Sequence, residues 1–407
     1  MLVSDASFTT NTAGLNQNAG AIYGTGAAAS TTIADATFTG NSSGGSGGTI
    51  YVTGSTAATP LAISNSTFLN GSATTNGGAI ALATLTNPAT ISSTTINGSS
   101  TTANKGGGIH LTSAPLTLTD TNIINCTSAL EGGAIYAINV TSVIEITGGA
   151  INGNTATVGG GIYLSSTATL TATGTTISGN QATANYGGGI YMNGTVNLTR
   201  AVVSGNRTNQ RGGGLYVAGG AATVVNCNFT GNTADGQSYS SGGGIHDQAG
   251  TVLIYHSTFA GNYATASGGG FYATSTNDVV RNSIFWGNTA TSNAQINSGW
   301  PTTTYTDIQG GCASCVDKTG NLDLDPQFVN LQQAGSGAPT TAGNYHLCYA
   351  SGVPEAACTA LSPAIDTASA TNASANDIDG DDTRPTDIPG IGDGTDDYDM
   401  GADEYRP

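Results

Sequence analysis

The side chains able to do chemistry in this chain are few, and most recur at regular spacing. Tyr51, Tyr136, Tyr163, Tyr191, Tyr216 and Tyr272 each follow an apolar or aromatic residue that itself follows a glycine pair, and His110 and His246 hold the same place. In extended chain, neighbouring side chains face opposite ways, so an inward Ile or Leu turns the next ring outward. A column of outward rings could bind glycans through flat contacts, or simply stack on itself. Asp377, Asp379, Asp381 and Asp382 alternate around Gly380, an oxygen-rich pattern suited to Ca²⁺, although the full twelve-residue calcium loop is not completed. Asp393, Asp396, Asp397 and Asp399 form a second acidic cluster. Cys312 and Cys315, and Cys348 and Cys358, are close enough in sequence to form two local disulfides; a four-cysteine zinc site is the alternative.

Catalysis asks for more than these. Glycoside hydrolysis needs two carboxylates roughly 5 to 10 Å apart. Up to residue 300 the acids are Asp5, Asp35, Asp120, Glu131, Glu145, Asp235, Asp247 and Asp278, thinly spread. Asp5 and Asp35 precede equivalent Phe residues and read as corner residues. Lys105 and Glu131 stand at equivalent places before glycine pairs and read as an ion pair between neighbouring turns. Arg200, Arg207 and Arg211 lie near one another with no acidic cluster beside them, and His246-Asp247 has no nucleophile partner. The expectation is a non-catalytic protein. A polysaccharide lyase or glycoside hydrolase is the competing class, and three carboxylates converging in a groove would favour it.

The elements that must position these residues are set by composition and repeat. The 407 residues include 61 Gly and carry 8 Lys and Arg against 25 Asp and Glu, a formal net charge of −17. Clustered cations that would hold phosphates are missing, which excludes nucleic acid as a partner. No apolar run reaches the 18 residues of a transmembrane segment, and the residues after Met1 do not read as a charged-then-apolar signal pattern, so a mature form or a fragment is expected. An apolar residue followed three positions later by Asn recurs at Phe8, Phe38, Ile151, Ile177, Val203, Phe229, Phe259 and Phe285, with variants at Phe68, Ile96 and Ile123, successive starts lying 26 to 30 residues apart. A Gly-Gly-(Ala/Gly)-Ile-Tyr motif keeps the same period, as at Gly132–Tyr136 and Gly159–Tyr163. Short alternating stretches such as Leu116-Thr117-Leu118 lie between.

Units of this size bury their apolar faces only by stacking. The expected fold is all-β: a right-handed parallel β-helix of about 11 coils, three short strands per coil, over residues 1–300. In it the Asn residues form a ladder, and the glycine pairs supply positive φ at a corner where a Cβ would clash. Cys126 falls in the Asn column and Cys227 two residues before Phe229; about four coils apart, they are expected as buried free thiols. These tandem motifs resemble the repeats of the polymorphic outer membrane proteins and related bacterial surface β-helices, a resemblance that implies an exported surface protein.

After residue 300 the period stops. Twelve of the 25 acids lie between Asp366 and Glu404, and four of the six cysteines follow Gly311. The order Asp325-Pro326-Gln327-Phe328-Val329, Tyr345-His346-Leu347, Ser362-Pro363-Ala364-Ile365-Asp366 and Asp399–Tyr405 resembles the C-terminal region of the choice-of-anchor family, class Q, which implies bacterial export and surface attachment. Residues 301–407 are therefore expected to be an acidic, Cys-containing capping segment that covers the last coil's open edge. Repeat sequence begins by Asp5, so the first edge is expected either to follow a missing preceding segment or to be covered by another subunit, the second giving head-to-tail assembly into filaments. The functional expectation is an extracellular or cell-surface structural or adhesive protein. Its partners would be itself or surface glycans and proteins, with Ca²⁺ as the one cofactor considered and a glycan-binding module on the Tyr column as a further reading.

Overall fold

The computed structural model describes residues 1–348 except 29, 140, 141, 166, 298 and 300, together with 362–364, 368, 400 and 401. Among these residues every regular element is a β-strand. The chain divides into two compact units, Met1–Val196 and Asn197–Pro407.

In the first unit the chain winds through seven turns of a parallel β-solenoid. One turn runs through Thr31–Ala34, Thr37–Thr39, Ser42–Gly44 and Ile50–Thr53, and each strand pairs in parallel with its equivalent one turn on. Four strands per turn, in four sheets, correct the expected three. The additional strand, such as Ser72–Ala73 or Thr155–Ala156, is two residues long and buries one small side chain, so no apolar alternation announces it.

Register converts the repeat into columns. In the second sheet Phe8, Phe38, Phe68, Ile96, Ile123, Ile151 and Ile177 pair in sequence. In the fourth, Ile22, Ile50, Ile80, Ile109, Ile135, Ile162 and Ile190 do the same. These inward side chains form the core, and the Phe rings stack at 4.9 and 4.6 Å. Corners between the first and second sheets need left-handed backbone, which Asp and Asn tolerate best after Gly. Asp5, Asp35, Asn65 and Asp120 sit there with φ of 46 to 51 or 53°. The corner after the second sheet explains a break in the Asn motif. Asn70 takes the positive-φ place held by Gly40 and Gly98, so Gly71 falls in the ladder column. Where Asn fills the column the ladder forms: Asn11 donates to Asn41 at 2.8 Å, and Asn154 donates to Asn180 at 2.9 Å and to the Ile123 carbonyl at 2.9 Å.

The second unit holds three further four-stranded turns, a turn of three strands in which Thr289 makes only an isolated bridge to the third sheet, and a partial fifth. Val203, Phe229, Phe259, Phe285 and Ile308 form its second-sheet column. Its ladder runs through Asn206, Asn232, Asn262 and Asn288, with amide contacts of 3.0, 2.9 and 2.8 Å. Solenoid strands persist past residue 300, at Thr302–Thr304 and Asp307–Ile308. The chain then lies on their free edge: Thr303 donates its N–H to the Asp317 carbonyl, Tyr305 to Thr319 and Ile308 to Leu322, at 2.9 to 3.0 or 3.1 Å.

The next stretch does not cap. An antiparallel pair, Phe328–Asn330 with Asn344–Leu347, leaves the edge, and the residues between run back along the corner after the second sheet. Ala334 donates to the Gly261 carbonyl at 2.7 Å, Thr340 to Gly231 at 3.0 Å, and the Gln333 amide to Gly287 at 3.0 Å. Leu347, Ala364, Ala368 and Met400 pack with Ile284 in one apolar cluster. Residues 317–322 thus cover the end of the last strands, and residues 331–341 form a lateral strap.

Candidate functional site

The aromatic column lies in the fourth sheet, and its rings stack face to face. In the first unit the centroid separations are 5.5 Å for Tyr23–Tyr51, 5.1 Å for His110–Tyr136, 5.1 Å for Tyr136–Tyr163 and 4.6 Å for Tyr163–Tyr191. Ala81 interrupts the stack between Tyr51 and His110. In the second unit Tyr216–His246 and His246–Tyr272 stack at 5.3 and 4.5 Å. Tyr23 belongs to the column but escapes the motif, because Ala19, at φ 61°, replaces the first glycine of its pair.

Strand alternation predicts outward rings, yet Tyr136 is 3% exposed, Tyr216 5%, His110 8% and His246 1%. The rings do leave the core, but connections between the third and fourth sheets fold over them. Lys105 lies 4.7 Å over the Tyr136 ring, donates to its hydroxyl at 3.1 Å, and meets Glu131 at 2.8 Å, the ion pair expected from the sequence. Tyr51, Tyr163, Tyr191 and Tyr272 remain half-buried. A sugar laid flat on a ring needs a free face, and neighbours in the stack occupy these faces. Burial pushes the Tyr163 phenol well up. Burial, then the Lys105 charge, lowers His110 to about 4.

A second cluster, which the sequence named only as separate residues, surrounds His246 in the second unit. Its Nδ1 lies 3.0 Å from Ser241 Oγ, while its buried Nε2 makes no hydrogen bond. Arg211 donates from Nη1 to Gln248 Oε1 at 2.8 Å and lies 5.6 Å over the Tyr239 ring, and its buried Nε has no acceptor. Burial, reinforced by the Arg211 charge, lowers His246 to about 3. Gln248 also stands at one end of a surface groove of about 700 Å³ lined by Gly250, Thr251, Thr274, Ser275 and Asn277.

Two acids lie beneath that groove, Asp247 and Asp278, both fully buried. Asp247 accepts from the Gly250 N–H at 2.7 Å and the Thr274 hydroxyl at 3.0 Å; Asp278 accepts from the N–H groups of Val252 at 2.9 Å and Ser275 at 3.4 Å. Backbone donors thus tie these carboxyls to turns, and among the described residues no group of three acids, histidines or cysteines is arranged to hold a metal ion. Burial raises both, Asp278 to about 7, where the Asp247 charge adds to the effect. Asp307, buried at the last edge, is likewise pushed to about 7 by burial, then by the charges of Asp323 and Asp325.

A pH dependence follows. The folded state holds a proton on Asp278 that the unfolded chain releases near pH 4, so this group's contribution to stability is lost as pH rises from about 4 to about 7. Asp278→Asn is expected to match the parent's melting temperature at pH 4 and to exceed it by several degrees at pH 8. Thermal melts at the two pH values check this, and an equal difference at both would refute it.

Arg207 and Asp235 form a two-point pair at 3.0 and 3.3 Å. Cys312 and Cys315 form the expected disulfide. Cys348 is also disulfide-bonded, whereas Cys358 lies outside the described residues, as do Asp377, Asp379, Asp381 and Asp382. Cys126 and Cys227 are buried free thiols, and burial pushes each up to about 12.

Residues 35–53 match the Chlamydia polymorphic membrane protein repeat. That stretch is most of one turn: the Asp35 corner, Phe38 in the core, Asn41 in the ladder, the Gly47-Gly48 pair, and Ile50-Tyr51 in the fourth sheet. Neither a curated protein nor a solved structure matches the chain. No helix among the described residues is long and apolar enough to cross a membrane.

Proposed function

We propose that this chain is the β-solenoid of a bacterial surface protein that binds rather than catalyses, serving adhesion or extracellular structure. The observation that carries this reading is the polymorphic-membrane-protein repeat at residues 35–53, lying on a turn whose architecture the other turns of its unit share. Backbone-bonded carboxyls at Asp247 and Asp278 favour binding over hydrolysis. Beads coated with the purified chain are expected to adhere to animal epithelial cells well above albumin-coated beads, and adherence no greater than albumin would refute the reading. Turnover-dependent release of reducing or unsaturated ends from a polysaccharide panel would favour the enzyme class instead.

A further inference from the structure

We propose that Arg211 and His246 form a subsite for the carboxylate of an acidic sugar, with the adjoining groove from Gln248 to Asn277 taking the neighbouring sugar. The proposal rests on the adhesive reading and names its ligand class.

The first argument is charge. The chain has only 8 Lys and Arg in a net charge of −17. Lys105 and Arg207 each meet a carboxylate, at 2.8 and 3.0 Å. Among the described residues Arg211 meets none, although carboxylates outnumber cations threefold and a guanidinium fork matches a carboxylate's two oxygens. The second is unmet polar atoms. Arg211 Nε is a buried donor with no acceptor, and His246 Nε2 is buried without a hydrogen bond of good geometry, although the Gln248 side chain lies near the ring. His246 Nδ1 is held by Ser241 Oγ at 3.0 Å. Buried polar atoms without partners are costly, and here two lie within electrostatic reach of each other.

What occupies the fork now is a neutral substitute. The Gln248 amide oxygen accepts from Arg211 Nη1 at 2.8 Å, and the Gln248 side chain is exposed, so an incoming carboxylate can displace it. Tyr239, 49% exposed, covers the guanidinium as a ring that can turn aside. The groove beyond offers hydroxyls and an amide from Thr251, Thr274, Ser275 and Asn277 with no apolar pocket. That lining suits sugar hydroxyls better than peptide side chains, and its volume falls within the range of ligand sites.

The test uses the intact chain in calorimetric titrations with trigalacturonate, 3′-sialyllactose, neutral galactotriose and a short peptide bearing a free C-terminal carboxylate. At least one acidic sugar is expected to bind 30-fold or more tightly than galactotriose. Gln248→Glu places a carboxylate from within on Arg211 and is expected to abolish that preference; circular dichroism confirms its fold. Equal binding of acidic and neutral sugars, no binding of either acidic sugar, an unaffected Gln248→Glu, or tighter binding of the peptide would each overturn the proposal. Bead adherence that persists without acidic-sugar binding would sink this subsite and leave the adhesive reading standing.

Discussion

Gly133→Ala is expected to destabilise the first unit by about 4 kcal/mol or more, combining overpacking with lost backbone hydrogen bonds. The second residue of each glycine pair meets the next turn backbone to backbone. A Cβ on Gly133 would stand 2.1 Å from the Gly160 carbonyl oxygen, 2.7 Å from the Thr155 nitrogen and 2.8 Å from the Thr155 oxygen. None of these atoms belongs to a side chain that can rotate away. Relief requires separating turns joined by parallel ladders on either side, so the cost is shared among several hydrogen bonds rather than avoided. Gly54 is the control: φ is +67°, but nothing lies within 4 Å of its Cβ. Gly54→Asn is expected to cost about 1 kcal/mol or less, a backbone term alone. Denaturant unfolding of both variants checks the contrast, and similar losses would show that conformation rather than contact governs the glycine pairs.

Asn262→Ala is expected to cost about 3 to 5 kcal/mol in the second unit, because it orphans several buried groups at about 1 to 3 kcal/mol each. Asn262 is fully buried. Its Nδ2 donates to the Phe229 carbonyl and to Asn288 Oδ1, both at 2.8 Å, and its Oδ1 accepts from the Asn232 N–H and Nδ2, both at 2.9 Å. Alanine satisfies none of these and leaves the ladder open in the middle. Asn262→Ser is expected to lose less, since the first unit places Ser99 and Cys126 in this column. Equilibrium unfolding monitored by circular dichroism distinguishes them, and an alanine variant within 1 kcal/mol of the parent would remove the ladder from the account.

Much of this solenoid was legible because its signals are local or strictly periodic. Phe38, Phe68 and Phe259 announced a core column, Asn154 and Asn232 a ladder, and Gly132-Gly133 a corner. Where the reading slipped, a residue type served two places. The Phe68 variant of the Asn motif arises because Asn70, which tolerates positive φ, takes the corner instead. The glycine pair looked like one feature and is two: Gly132 has φ of +67°, and Gly133 has no room for a Cβ. The two-residue third strand left no trace, because a single buried Ala carries no period.

By itself the sequence determined the period, the inward columns, the parallel stacking and the expectation of free thiols at Cys126 and Cys227. Each depends on one residue type recurring every 26 to 30 positions, which composition and spacing record directly. Tertiary structure alone decided which rings are covered, that Arg207 finds Asp235 while Arg211 finds Gln248 and Tyr239, and that Asp247 and Asp278 lie buried under one groove. It also decided that residues 331–341 return along the flank of their unit. The physical reason is that these outcomes depend on how irregular connections fold over neighbouring turns. Such connections carry no periodic signal, and their partners lie tens of residues away in the chain.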